Sequence, residues 1–348
     1  MDELRSLPKA LLHDHLDGGL RVDTILELAT AVGYEGLPAI DEAGLREWFH
    51  QGESGSLERY LESFDHTLAV MQTAEALERV GYEAVVDLAA DGVVYAELRF
   101  APASNTDGGL TLEEVVAAVA RGVQGASSET GCVTGLILDG MRQMKDSEEI
   151  ADLAVASRDL GVIGFDLAGP EAGYPNDDHA PACLRAREAN LPVTVHAGEG
   201  DGVHQIWRAL HHCGALRIGH GVRIIEDTTM INGEITDTGP VASFVRDVQV
   251  PLEVSVSSNI HTGIFPGVAE HPIGMLYRAG FAVTLNTDNR LMSGTSMTTE
   301  FALVAEHHGF GIGDFHAVTR RAILAGFTPW PRRQELLEKV DEIYLDLY

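Results

Sequence analysis

The chain has 348 residues, with 53 Asp and Glu against 24 Lys and Arg and a formal net charge of −29. That excess of negative charge excludes a nucleic-acid backbone as partner, which needs clustered cations, and disfavours polyanionic substrates unless a local cationic pocket overrides it. Three scattered cysteines (Cys132, Cys183, Cys213), no C-x-x-C, no apolar signal core after Met1 and no apolar run of membrane-spanning length predict a cytoplasmic protein with reduced thiols.

Eight short apolar runs follow one another along the chain. The first, Lys9 to His15, ends in His13-Asp14-His15 and then Asp17-Gly18-Gly19. Read as a strand, it places His13 and His15 on one face, because side chains alternate with period two; Gly18 and Gly19 mark the turn that follows. The remaining runs are Gly92–Phe100, Cys132–Asp139, Val162–Leu167, Pro192–His196, Leu216–His220, Pro251–Val256 and Phe281–Asn286. Short apolar strands bounded by Gly or Pro suit a parallel sheet buried on both faces.

Helical patterns lie between the runs. Ser56 is placed to cap a helix whose stripe is Leu57, Tyr60, Leu61, Phe64, Leu68 and Met71. Thr111 with Glu114 reads as a capping box. Ser147–Leu160, His179–Asn190, Gly202–Cys213, Met297–His308 and Arg332–Leu347 also carry helical spacing. Strand and helix alternating eight times predict a (β/α)₈ TIM barrel over residues 1–348 as one domain. An open dinucleotide-binding sheet is the alternative, but no G-x-G-x-x-G follows His15. The segment from Tyr34 to Met71 is too long for a simple connection, and extra helices over the C-terminal mouth, between the first strand and the second, are expected.

Catalytic groups of such barrels sit at the C-terminal strand ends. Here those ends carry His13 and His15, Arg99, Asp139, Asp166, His196 with Glu199, His220, Ser257–Asn259 and Asp288. His13, His15, His196 and Asp288, from the first, fifth and eighth runs, make three nitrogens and one carboxylate, the donor set of a mononuclear zinc site with an open position for water. Such an ion lowers the pKa of water to about 7. Asp288 can hold that water, His220 can take its proton or steady the developing charge, and Glu199 is placed to act as general acid. The sequence alone does not distinguish a substrate contact from a structural brace for Arg99 and Asp139, nor zinc from iron or cobalt.

Leu12-His13-Asp14-His15-Leu16-Asp17-Gly18, Val195-His196-Ala197-Gly198-Glu199, Arg217-Ile218-Gly219-His220-Gly221, Ser257-Ser258-Asn259 and Leu285-Asn286-Thr287-Asp288 resemble, in order, the signature motifs of the adenosine deaminase family. The resemblance extends from about residue 8 to about residue 325. It implies one Zn²⁺ per chain on His13, His15, His196 and Asp288, and hydrolytic deamination of adenosine, and of 2′-deoxyadenosine, to inosine and ammonia. His220 and Asp288 would activate water for attack on purine C6, and Glu199 would protonate N1. Gly169 would meet N3 and Asp17 the ribose 5′-hydroxyl; adenine deaminases usually carry Glu there, so Asp17 favours a nucleoside over a free base. Leu57, Tyr60 and Phe64 match an apolar lid, and His15 also faces the substrate.

Four departures stand out against that pattern. Asn289 and Arg290 follow the metal aspartate where Asp and Pro are usual; an Asn amide donates to purine N7 without first taking up a proton. Ser255-Val256 replaces Cys-Pro, Pro170 follows Gly169 in place of Asp, and Gly200-Asp201-Gly202 forms an unusually flexible loop. All four are expected to line the pocket. They leave open the same reaction on a 5′-modified adenosine or aminodeoxyfutalosine, or hydrolysis of a cyclic amide on the same barrel. Oligomeric state is not legible.

Overall fold

The computed structural model describes residues 1–52 and 54–347. All eight apolar runs form strands: β1 Lys9–His15, β2 Val93–Phe100, β3 Val133–Met141, β4 Val162–Ala168, β5 Thr194–Ala197, β6 Arg217–His220, β7 Leu252–Val254 and β8 Val283–Leu285. β1 to β4 pair in parallel and in sequence order, and so do β5 to β8. Two parallel bridges, Phe165 with Val193 and Asp14 with Asp288, join the two sheets along both edges. The second is drawn tight where His15 N donates to Asp288 O (2.8 Å) and Asp288 N to His13 O (2.9 Å). The barrel therefore closes at the histidine pair itself.

The strands are buried on both faces, which is why their sequences read as continuous apolar runs. Charged residues interrupt them at Glu97, Arg99, Asp166, Arg217 and Glu253, and all five are fully buried inside the barrel. Arg217 pairs with Glu97 (2.5 Å) and Glu253 (2.6 Å), and Arg99 pairs with Glu253 (2.8 Å) and Asp166 (2.5 Å). Buried charges persist only when paired and hydrogen-bonded. Here the pairing forms one ladder directly beneath the mouth. Burial pushes the Glu253 carboxyl upward, but Arg99 and Arg217 outweigh it and hold it well below the usual range.

Five helices cover the stretch between β1 and β2: Val22–Val32, Glu42–Phe49, Leu57–Leu61, Phe64–Val70 and Ala74–Ala90. The single helix expected from Leu57 to Met71 is broken. Ser56 caps it as predicted, accepting from Arg59 N, but Ser63 Oγ donates to Tyr60 O at 2.7 Å, a local bond that competes with helix continuation. The Thr111–Glu114 capping box starts Leu112–Thr130, with both reciprocal bonds present. Met297–His308 matches its prediction, while the last helix is Trp330–Leu345. The run through Val256 stops earlier than expected, because Val256–His261 is already helical and carries Ser257, Ser258 and Asn259. A hairpin, Thr228–Ile231 with Glu234–Thr238, and the helices Pro240–Val248 and Ile312–Ala325 gave no signal in the sequence reading. Among the described residues no helix is long and apolar enough to cross a membrane.

Candidate active site

β1 ends with His13 and His15 turned to the same side, and the chain then enters a 3₁₀ turn, Leu16–Gly18. The glycines there serve close approach rather than an unusual φ. A Cβ on Gly18 would lie 2.0 Å from Asn289 Oδ1, and one on Gly19 would lie 2.6 Å from Arg290 Nη2. Without side chains at both positions, the turn seats against the loop after β8. His220 and Asp288, at the ends of β6 and β8, both hold left-handed backbone (φ +58° and +60°). Such strain costs on the order of 1–3 kcal/mol per residue and concentrates at functional sites.

The predicted ligands converge. His13 Nε2 is 3.2 Å and His15 Nε2 3.5 Å from Asp288 Oδ1, and His15 Nε2 is 3.2 Å from His196 Nε2. Ligand atoms of His13, His196, His220 and Asp288 also lie within 4.8 Å of one another. Five donors therefore crowd one point, and their rear partners sort them. A metal-bound imidazole typically gives its other N–H to a carboxylate or carbonyl. His13 Nδ1 faces Glu253 Oε2 (2.9 Å), His15 Nδ1 faces Asp139 Oδ2 (3.3 Å) and His196 Nδ1 faces Asp166 Oδ2 (3.0 Å). His220 Nδ1 instead meets the Asn259 amide at 3.0 Å. This division sets His220 apart from the other three imidazoles.

A cation fits the residues present. His13 Nε2 is fully buried yet has no hydrogen-bond partner, and it points at acceptors that would repel one another without positive charge between them. Asp288 is steadied on its other oxygen by Ser258 Oγ, which donates at 2.6 Å. Burial pushes the Asp288 carboxyl upward, but the histidines around it outweigh that and hold it well below the usual range.

Glu199 Oε2 lies 3.6 Å from His220 Nε2. Burial, with Asp288 and Glu171 adding their charges, holds its carboxyl well above the usual carboxylate range, as a proton donor requires. The loop that follows is not loose, contrary to the expectation from Gly200-Asp201-Gly202. The buried Glu171 accepts from Gly198 N (2.7 Å), Glu199 N (2.9 Å) and Asp201 N (3.0 Å). Sequence reasoning missed Glu171, and a glutamate 28 residues from its target leaves no local signal.

A cleft opens over these groups. Leu57, Tyr60, Leu61, Phe64 and Leu68 form its apolar side, while His15, Asp17, Asp139, Gly169, His196, Glu199, His220, Asp288 and Asn289 form the rest. Every predicted site residue except His13, which lies beneath, thus lines it. Asp17 Oδ1 is buried without a partner, and burial raises its carboxyl to about 6. Gly169 holds φ +89°, and a Cβ there would strike Gln143 Oε1 at 2.5 Å. Asp139 both backs His15 and faces the cleft. Arg99 only braces, its guanidinium donating to Asp166, Glu253 and Leu12 O.

The expectation that all four departures line the pocket needs correction. Asn289 does, and Gly200 lines an adjoining cleft shared with Leu57 and Glu199, but Pro170, Ser255 and Val256 do not. Val256 N is turned to the buried Glu300. Arg290 points back to Asp14, its Nε donating at 2.9 Å.

The chain matches the family model described as adenosine deaminase over residues 8–343. It is 49% identical to an adenosine deaminase of Mycobacterium ulcerans over 349 aligned positions, covering 98% of this chain and 96% of that relative. Among solved structures, an adenine deaminase from Arthrobacter aurescens superposes with TM-score 0.87 at 28% identity, covering 97% and 98% of the two chains. Arabidopsis ADAL complexed with IMP does so with TM-score 0.85 at 27% identity, covering 99% of each.

Proposed function

We propose, for a chain that belongs to the adenosine deaminase family, which of its residues carry the deamination of adenosine and with what metal. The chain is a hydrolase of C–N bonds that converts adenosine and water to inosine and ammonia. One observation supports the assignment above others: three carboxylate-backed imidazoles and Asp288 meet at one point, with His13 Nε2 buried and unpartnered. His13, His15, His196 and Asp288 would hold one zinc ion, which lowers the pKa of water to about 7 and so makes hydroxide available near neutrality.

The chain's own groups then move the protons. Glu199 enters protonated and gives its proton to N1, which makes C6 electron-poor as the oxygen attacks. Asp288 accepts one proton of the water and returns it to the departing amine, so ammonia leaves. The second water proton restores Glu199, and inosine keeps the proton on N1. Gly169 offers its N–H toward N3, Asn289 its amide toward N7, and Asp17 accepts from the 5′-hydroxyl. Leu57, Tyr60 and Phe64 exclude bulk water above the ring. A single domain over 1–348 and a cytoplasmic setting belong to the same proposal, in keeping with three buried free thiols.

Removing the metal abolishes turnover, and one equivalent of zinc restores it; activity surviving thorough chelation would sink the assignment. Burial opposes protonation of His15, but Asp139 outweighs it and raises the pKa to about 9. The metal must displace that proton, so its apparent affinity climbs with pH up to that value.

The cleft also selects the 5′ end. No Lys or Arg is among its lining residues, whereas Asp17, Asp65, Asp139 and Asp288 are. A 5′-phosphate would meet like charge, at a cost of several kcal/mol. AMP is therefore expected to show kcat/KM about 10²-fold or more below adenosine, compared by loss of the 6-aminopurine absorbance. Adenosine itself is expected above roughly 10⁴ M⁻¹s⁻¹, and AMP matching it would overturn the assignment of Asp17 to a neutral hydroxyl.

A further inference from the structure

We infer that Asn259 and His271, neither of which lines the cleft, fix the tautomer of His220 so that it presents an N–H, not a lone pair, to the attacking oxygen. The inference rests on the site reading above and adds two positioning residues to it.

The argument starts from a backbone amide, a group that can only donate. Ile273 N–H points at His271 Nδ1 (3.2 Å), so that nitrogen carries a lone pair. Burial, with His308 adding its charge, lowers the His271 pKa to about 3, and a neutral ring with Nδ1 bare has its proton on Nε2. His271 Nε2 lies 3.2 Å from Asn259 Oδ1, so the Asn259 amide must turn its oxygen to His271. Its NH₂ is left facing His220 Nδ1 at 3.0 Å. An NH₂ cannot accept, so His220 Nδ1 is the acceptor and the ring proton sits on Nε2. That nitrogen faces the reaction, 3.6 Å from Glu199 Oε2 and 4.0 Å from Asp288 Oδ2.

Each link in this chain is buried: Asn259, His271 and His220 are all within 1% of complete burial, so water does not offer an alternative partner. The contrast with the other imidazoles is informative. His13, His15 and His196 are backed by carboxylates, which demand Nδ1–H and turn the Nε2 lone pair toward a metal. An amide anchored by His271 demands the opposite at His220. His220 therefore does not take the proton of the water. It donates to the oxygen as negative charge develops there, and Asp288 is left as the proton acceptor.

The test is the ¹⁵N signature of the His220 ring in the zinc-loaded protein, assigned by its absence from His220→Asn. Nε2 is expected protonated and Nδ1 bare. A protonated Nδ1 with bare Nε2 overturns the inference without touching the function, provided zinc and adenosine turnover are present. Turnover absent with Nε2 protonated would do the reverse. Asn259→Asp is nearly isosteric and still accepts from His271, but it cannot donate. It is expected to reverse the two ¹⁵N signals, keep one zinc per chain, and lower kcat about 10²-fold, the usual loss for one donor to a developing oxyanion, with KM unchanged. His271→Leu frees the amide to turn and is expected to yield a mixture of both tautomers; a single, unchanged Nε2–H form in that variant would remove His271 from the relay.

Discussion

Glu199→Gln lowers kcat for adenosine by about 10²- to 10⁴-fold, the usual share of a positioned general acid, while metal content stays at that of the parent. The amide keeps the shape of the carboxyl and loses only the transferable proton. Burial first, then the charges of Asp288 and Glu171, raise the Glu199 pKa well above the ordinary range, so the parent enters the reaction protonated. kcat/KM should accordingly fall as pH rises through that raised value, and this alkaline limb should vanish in the Gln variant. Stability follows the same sense. Between the unfolded and the raised folded pKa, the folded chain holds a proton that the unfolded chain has released, so stability declines as pH rises. The Gln variant lacks that loss, and its Tm should exceed the parent's by a margin that grows with pH. Turnover within tenfold of the parent would remove Glu199 from the role of acid.

Glu253→Ala destabilises the fold by about 3–5 kcal/mol, the penalty for breaking a buried ion pair from one side, and weakens metal binding by about 10–100-fold, as loss of a partner behind a ligand does. Both effects come from one carboxylate. Oε1 takes Arg217 Nε (2.6 Å) and Thr194 Oγ1 (3.0 Å), and Oε2 takes Arg99 Nη2 (2.8 Å) and His13 Nδ1 (2.9 Å). Removing it leaves two guanidinium groups under-compensated in the barrel and frees the His13 ring. Its folded pKa is depressed by the two arginines, so its stabilising contribution is present above the ordinary glutamate range and fades as pH falls toward the lowered value. Denaturant unfolding and a metal titration measure the two effects separately. A variant as stable as the parent and binding metal equally well would show the ladder to be incidental.

Much of the site was legible because its parts are local. His13 and His15 are two residues apart on one strand, so alternation alone puts both on one face. His196 and His220 end apolar runs and Asp288 lies two residues past one, where a barrel delivers its catalytic groups. The five interior charges also left a trace, since Glu97, Arg217 and Glu253 interrupt apolar strands, yet a single charge in a run does not name its partner. The break between Leu61 and Phe64 was hidden because it depends on one hydroxyl, that of Ser63, choosing a backbone oxygen over helix continuation.

The sequence by itself determined the donor types, their order along the chain and the alternation that stacks them at one rim, because strand period and strand ends are properties of neighbouring residues. Only the tertiary structure decided which donors meet and what stands behind each. Closure of β8 onto β1 brings Asp288 to within 3.2 Å of His13. The partners that set each imidazole's proton, Glu253, Asp139, Asp166 and Asn259, lie on other strands and helices, between 30 and 240 residues away. A tautomer is chosen by whichever group lies within about 3 Å of a ring nitrogen, and over such separations that proximity exists only once the barrel has closed.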